Sequence, residues 1–314
     1  MYPWTDSDVL LVLQQTPDLD CLSISSWTDI PDASFLQHLP RYCAHLTSLK
    51  LYHTHITQHT VDALGHYGPQ LTELTLGECR HLGPDTFSVL SKTCRLTALT
   101  IELSDLGDPV SDKVVQDLTS GNGFGDLVQL TLGSRTLDSD FIDDLLFSSA
   151  AAAASGKGWP HLDKLIIYKY RPLDGSSRLV PFLQSHPGLK ELSLVLGRYD
   201  DTLLHALATL QPPPPHLTHL KLDFARNISA GAVRHLVQQW PMLRSVTLSD
   251  CDMTPAMFPE ADKESHYETL TDVTVEYLDE DAIHKIRQGG YVSTSDTSNN
   301  SKKKRSIWKR LFNR

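Results

Sequence analysis

The chain has 314 residues, 40% of them hydrophobic, 8% aromatic and 21% charged, with a formal net charge of −10. That composition describes a folded globular chain and excludes disordered and fibrous classes. Its apolar runs, such as Val9 to Leu13, fall far short of the roughly 20 residues of a membrane-crossing helix.

Charge is uneven along the chain. Residues 302–314 hold seven basic side chains and no acid, which leaves −17 on the other 301 residues. So acidic a body repels phosphate backbones, which argues against nucleic-acid binding.

In chain order, the start Met1-Tyr2-Pro3-Trp4 has no basic region followed by an apolar run, so the expected location is cytosol or nucleus. In that reducing setting the five cysteines are expected to be small buried hydrophobes, without disulfides. Asp8 to Thr16, followed by Pro17, reads as the helix of a unit whose strand lies before Met1, so residues 1–18 form a partial N-terminal unit.

From Leu19 a six-residue unit recurs, with Leu, Ile or Val at its first, fourth and sixth positions. Leu46-Thr47-Ser48-Leu49-Lys50-Leu51 and Leu71-Thr72-Glu73-Leu74-Thr75-Leu76 are examples, and further units start at Leu96, Leu127, Leu162, Leu189, Leu217, Leu243 and Leu270. The ten starts are 27, 25, 25, 31, 35, 27, 28, 26 and 27 residues apart. In an extended segment the fourth and sixth positions share one face while the third, fifth and seventh share the other, so each unit predicts a short strand with an apolar back.

A helix is predicted between successive strands. Thr57 caps one that ends at the Gly65 to Pro69 breaker, and Pro84 opens another. Leu203, Leu204 and Leu207 stripe a third, Ser229 caps a fourth, and Thr254-Pro255 supplies a cap and first-turn proline for a fifth. Ala150 to Ala154 with Ser155-Gly156-Lys157-Gly158, and Gly121-Asn122-Gly123-Phe124-Gly125, read as flexible surface excursions, and Pro212 to Pro215 as a rigid extended spacer. One unit of about 27 residues cannot bury its own apolar face, so units must stack. The expected fold is an α/β solenoid of about ten repeats over residues 19–288, a horseshoe with a concave parallel sheet and convex helices. Asp279 to Arg287 closes it with a polar helix, and 289–314 is a disordered linker with a basic amphipathic tail.

These units resemble leucine-rich repeats of the cysteine-containing, ribonuclease-inhibitor-like kind found in F-box/LRR proteins. Leu74-Thr75-Leu76-Gly77-Glu78-Cys79 and Val246-Thr247-Leu248-Ser249-Asp250-Cys251 match that subtype's strand followed by a cysteine, and Cys43 and Cys94 match its second cysteine position. The resemblance implies a non-catalytic protein-interaction module that recognises substrates for an SCF-type ubiquitin ligase, with an adaptor and cullin as further partners if an F-box lies upstream. Alternatives are a stand-alone repeat protein that regulates or inhibits one partner, and a scaffold recruited to membranes by its tail.

Catalytic and cofactor motifs give little. Gly121 to Gly125 lacks the spacing of a dinucleotide loop, Gly156-Lys157-Gly158 lacks the hydroxyl residue of a phosphate loop, and no Gly-x-Ser-x-Gly elbow occurs. His53, His55, His59, His66, Cys79 and His81 are grouped without the closing pairs of a zinc site. No catalytic, cofactor or metal residue is assigned.

What remains is a binding surface. The outward strand positions and the residues just after them nominate Trp27, Lys50, Tyr52, Glu73, Glu102, Lys164, Tyr168, Tyr170, Lys221, Asp223, Asp250 and Tyr277 as contacts for a protein partner on the concave face. The tyrosines and their lysine neighbours are the best anchors, because aromatics supply rigid area and charges supply selectivity. In the tail, Ile307, Trp308, Leu311 and Phe312 would share one side of a helix, beside Lys302, Lys303, Lys304, Arg305, Lys309 and Arg310. That pattern suits an anionic lipid surface, a nuclear import receptor, or a merely solubilising tail.

Overall fold

The computed structural model describes residues 5–25, 34–54, 57–67, 70–79, 85–103, 108–120, 124–134, 140–168, 178–197, 199–268 and 273–289. The repeated units become strands: β1 (Cys21–Ile24), β2 (Ser48–Tyr52), β3 (Glu73–Gly77), β4 (Ala98–Leu103), β5 (Gln129–Ser134), β6 (Lys164–Tyr168), β7 (Glu191–Val195), β8 (His219–Asp223) and β9 (Ser245–Thr247). They lie in chain order in one sheet, every neighbouring pair among these nine parallel.

The helices are α1 (Asp6–Gln15), α2 (Leu39–Tyr42), α3 (Gln58–Tyr67), α4 (Thr86–Thr93), α5 (Asp108–Thr119), α6 (Asp140–Ala153), α7 (Leu179–Ser185), α8 (Asp201–Ala208), α9 (Ala230–Gln239) and α10 (Glu280–Arg287). From α3 to α7 each packs on the next, as do α8 and α9. This is an α/β leucine-rich-repeat solenoid, with strands lining the inside and helices outside.

Register follows from burial. Leu49, Leu74, Leu99, Leu130, Leu165, Leu192 and Leu220 pair in one row, and Leu51, Leu76, Ile101, Leu132, Ile167, Leu194 and Leu222 in the next. All fourteen are buried, so a slip of one residue would put both rows in water. The second position of each unit adds a backbone ladder: Thr47 N–H donates to Asp20 O, Thr72 to Thr47, Thr97 to Thr72, Val128 to Thr97, and so on to Arg244 and Thr218. Threonine hydroxyls at Thr47, Thr72, Thr97 and Thr218 double that bond. Three residues before the first leucine of a unit stands a buried plug, Cys43, Phe124, Trp159, His186 or Trp240. In each case its carbonyl accepts from that leucine's N–H.

The structure departs from the sequence expectations at several places. Thr254-Pro255 opens no helix: residues 254–262 run as turns. Pro259 lacks an N–H and its ring would clash with the carbonyl of Pro255, so the first turn cannot continue. Without that crossover the tenth unit is not a tenth parallel strand. Instead β11 (Val273–Val275) pairs antiparallel with β10 (His266–Glu268) in a separate ribbon, and β12 (Tyr277–Leu278) closes the main sheet antiparallel to β9.

The alanine run is no excursion either. α6 extends through Ala153, alanine being the best helix former, and stops where Gly156 takes a positive φ of 70°. α3 runs through Gly65 because a bare Cα lets α4 approach; a Cβ there would stand 2.8 Å from Val89 Cγ1. Phe124, in the other supposed excursion, is buried in the core. Pro84 lies outside the described residues. Ser229 does cap α9, accepting from the Ala232 N–H, and Leu203, Leu204 and Leu207 are buried on α8.

Four cysteines are buried as expected, but Cys21 is exposed on β1. The Cys79 thiol donates to Leu51 O and that of Cys251 to Leu222 O, each tying a turn to the preceding strand. Burial above all pushes the Cys251 thiol up to about 12, and burial likewise raises Cys43, Cys79 and Cys94. Thiolates are the reactive form, so iodoacetamide is expected to label Cys21 alone in the native chain and all five thiols after denaturation, read by peptide mass spectrometry.

His186 sits in the core between α6 and α7, stacked on Phe182 at 4.1 Å, with Ser149 Oγ 3.2 Å from Nε2 and Phe182 O 3.0 Å from Nδ1. Burial holds its pKa below the ordinary value, the Phe182 carbonyl opposing. The unfolded chain therefore takes up the proton first as pH falls. The stability that neutral His186 contributes is complete above about pH 6.5 and is lost as pH drops through that value towards the lower folded pKa. His186→Gln is expected to flatten the loss of stability between pH 7 and pH 5 in urea titrations.

Candidate binding face

The ladder arranges the outward positions in three rows. The third-position row reads Cys21, Ser48, Glu73, Ala98, Gln129, Lys164, Glu191, His219 and Ser245; the fifth reads Ser23, Lys50, Thr75, Thr100, Thr131, Ile166, Ser193, Lys221 and Thr247. The seventh runs Tyr52, Gly77, Glu102, Gly133, Tyr168, Val195 and Asp223.

Of the nominated residues, Lys50, Tyr52, Glu73, Glu102, Lys164 and Tyr168 thus share the face across β2 to β6. Lys221 and Asp223 lie further along on β8, Asp250 follows β9, and Tyr277 on β12 pairs with Thr247. Trp27, Tyr170 and the whole tail 302–314 lie outside the described residues.

Several charges are already matched. Lys164 Nζ lies 2.8 Å from Glu191 Oε1 on the next strand, Lys221 Nζ lies 3.3 Å from Asp223 Oδ2, and Glu73 accepts from Ser48 Oγ at 3.0 Å. Side chains in these pairs are part exposed, so each holds neighbours in place more than it stabilises the fold.

Small residues shape the centre. Thr75, Ala98 and Thr100 floor an open depression of about 130 Å³ rimmed by Lys50, Glu73 and Gln129. In the seventh-position row two glycines separate three large side chains. A Cβ on Gly77 would stand 2.2 Å from Cδ1 and 2.5 Å from Cε1 of Tyr52, so the Cδ1–Cε1 edge of that ring occupies the space a side chain on β3 would fill. A Cβ on Gly133 would stand 2.9 Å from Glu102 Cγ and 3.5 Å from Tyr168 Cβ. Burial first, then the Glu102 carboxylate and Tyr168, raises the Tyr52 phenol, with the Thr75 hydroxyl opposing.

No family model matches the chain. Among solved structures, the crystal structure of the yeast Rad7 and Elc1 complex superposes with a TM-score of 0.44 at 14% identity, covering 82% of this chain and 75% of that one. The repeat architecture rests on this chain's own ladder and register.

Gly77 and Gly133 were not among the nominated residues. Their signal is nevertheless present: aligned on the sixth-position apolar residue, five consecutive units continue with Tyr52, Gly77, Glu102, Gly133 and Tyr168. The buried Ser149–His186 pair has the composition of a hydrolytic dyad. Its place between α6 and α7, walled by Trp159 and Phe182, keeps substrates from it.

Proposed function

We propose that this chain is a non-catalytic protein-interaction module of cytosol or nucleus. Its concave face receives a segment of a protein partner, and it serves as the substrate-recognition part of an SCF-type ubiquitin ligase. The observation that carries the interaction reading is the depression across β2 to β5, where the small floor residues Thr75, Ala98 and Thr100 sit within a rim of Lys50, Glu73 and Gln129, on a face that also presents Tyr52 and Tyr168, the mixture of aromatic and charged groups that binding surfaces use. The ligase role rests on the F-box/LRR resemblance of the repeats, and the cysteine-containing subtype is supported by Cys79 and Cys251 donating across to the preceding strand. Fold alone does not set function.

Affinity purification of the intact chain from its native cell, beside a Lys50→Ala/Tyr52→Ala/Tyr168→Ala variant, tests both levels. Recovery of a cullin and an adaptor subunit is the expected result, with substrates lost in the variant. One stoichiometric partner without them would make the chain a stand-alone regulator. An identical set of partners from both proteins would overturn the concave-face assignment.

A further inference from the structure

The C-terminal end of the solenoid is strongly acidic. Between Ser245 and Asp281 stand eleven aspartates and glutamates, a single lysine and no arginine. The backbone gathers several of these acids at the rim where β8 and β9 end. Cys251 donates its thiol to Leu222 O, which brings Asp250 and Asp252 beside Asp223, and Leu248 N–H donates to Glu276 O. Burial first, then the charges of Asp223, Glu276 and Asp250, raise the Cys251 thiol, so all three carboxylates bear on one atom. Lys221 matches Asp223, and the Thr274 hydroxyl donates to Glu276. Among the described residues no cation is paired with Asp250, Asp252 or Glu268.

Exposed tyrosines stand on both sides of Glu276. Tyr277, 40% exposed, follows it in the chain and pairs with Thr247, and Tyr267, 60% exposed, lies across the ribbon from Thr274. Such a surface fits a segment that carries cations and apolar side chains together. A carboxylate gives a cation a charge-assisted hydrogen bond, and an aromatic residue takes either a cation or an apolar side chain. The chain has that segment: residues 302–314 hold seven basic side chains, no acid, and Ile307, Trp308, Leu311 and Phe312. It is also within reach. Arg287 fastens the end of α10 to Trp240 O and Leu243 O. Leu243 and Asp250 are seven residues apart, at most about 25 Å, and the twelve residues 290–301 span up to about 40 Å. Tethering makes the contact intramolecular, which favours it over the same contact with a separate protein. We infer that residues 302–314 of this chain dock on the rim formed by Asp250, Asp252, Glu268 and Glu276, with their apolar side chains against Tyr267 and Tyr277. The inference needs no partner and so stands apart from the concave-face reading.

Fluorine NMR of the full chain, labelled with 5-fluorotryptophan, tests this, because each of the five tryptophans gives its own resonance and Trp308→Phe identifies that of Trp308. In the intact chain the Trp308 resonance is expected away from its position in the isolated 302–314 peptide and as broad as those of Trp159 and Trp240. These two are buried in the solenoid, and their unchanged resonances show that each variant is folded. The displacement should be the same at every protein concentration. Salt at about 1 M, where the screening length falls to about 3 Å, should return Trp308 to the peptide position. So should Asp250→Asn/Asp252→Asn/Glu268→Gln/Glu276→Gln, and so should Tyr267→Ala/Tyr277→Ala. Asp18→Asn/Asp20→Asn, which removes as much charge per residue at the other end of the solenoid, should leave it displaced. A Trp308 resonance already at the peptide position overturns the inference, and if it then moves on adding phosphatidylserine vesicles the tail belongs to a lipid surface. A displacement that survives the rim variants, or that appears only as copies associate at high concentration, overturns it as well.

Discussion

Trp240→Ala is expected to lower the unfolding free energy by about 4 kcal/mol, in the range for truncating a fully buried tryptophan, and to open the C-terminal repeats before the rest. Trp240 is buried at the end of α9, and its indole N–H donates to Leu207 O at the end of α8, so one side chain both fills the layer between two helices and satisfies a buried carbonyl. Its own carbonyl accepts from Leu243 N–H and from Arg287, which also reaches Val237 O and Leu243 O and so fastens α10 to the end of α9. Removing the ring loosens the site on which that arginine depends. Because a solenoid unit touches only its neighbours, the loss should appear in hydrogen exchange at α9, β9 and α10 and leave β2 to β5 protected. Trp240→Phe keeps most of the volume and loses the hydrogen bond, so about 1–2 kcal/mol is expected from denaturant titration. Equal protection throughout in Trp240→Ala would show that the chain unfolds as one unit.

Glu260→Ala is expected to cost about 3–5 kcal/mol, the usual result of removing one partner of a buried ion pair. The segment that failed to become a helix is held to α9 by this pair. Arg234 Nη1 and Nη2 donate to the two carboxylate oxygens of Glu260, Nη2 also donates to Met257 O, and the guanidinium lies 5.1 Å from the Phe258 ring centre. Glu260 is 5% exposed in its side chain and Arg234 16%, so neither charge has water to fall back on. The double variant Arg234→Met/Glu260→Leu should recover most of the loss, since well-packed apolar residues replace buried pairs at little cost. A double-mutant cycle by chemical denaturation measures the coupling, and additive single costs would contradict it.

Neither of these two interactions could be read from periodicity. Arg234 lies on the polar side of the helical pattern, and Glu260 follows Pro259 in a stretch that reads as the start of a helix. Only the folding of residues 254–262 back onto α9 brings them together. The binding face lies between these extremes. Lys50, Tyr52, Glu102, Lys164 and Tyr168 were legible because a strand's alternation assigns each residue a side. The spacing of Gly77 and Gly133 was visible but its meaning was not, because a glycine offers no chemistry of its own until a neighbouring side chain, Tyr52 at Gly77 and Glu102 at Gly133, is seen to take up the space beside it.

By itself the sequence determined the repeat, its length, the parallel in-register sheet and which residues face outward. Those features follow from local period and from the need of each short unit to bury two leucines against the next. Tertiary structure alone decided how the solenoid ends, since a helix blocked at Pro259 forces the chain back as an antiparallel ribbon. It also decided which outward residues act together, because a side chain's direction across a sheet depends on the size of its neighbour on the next strand, some 25 or more residues away.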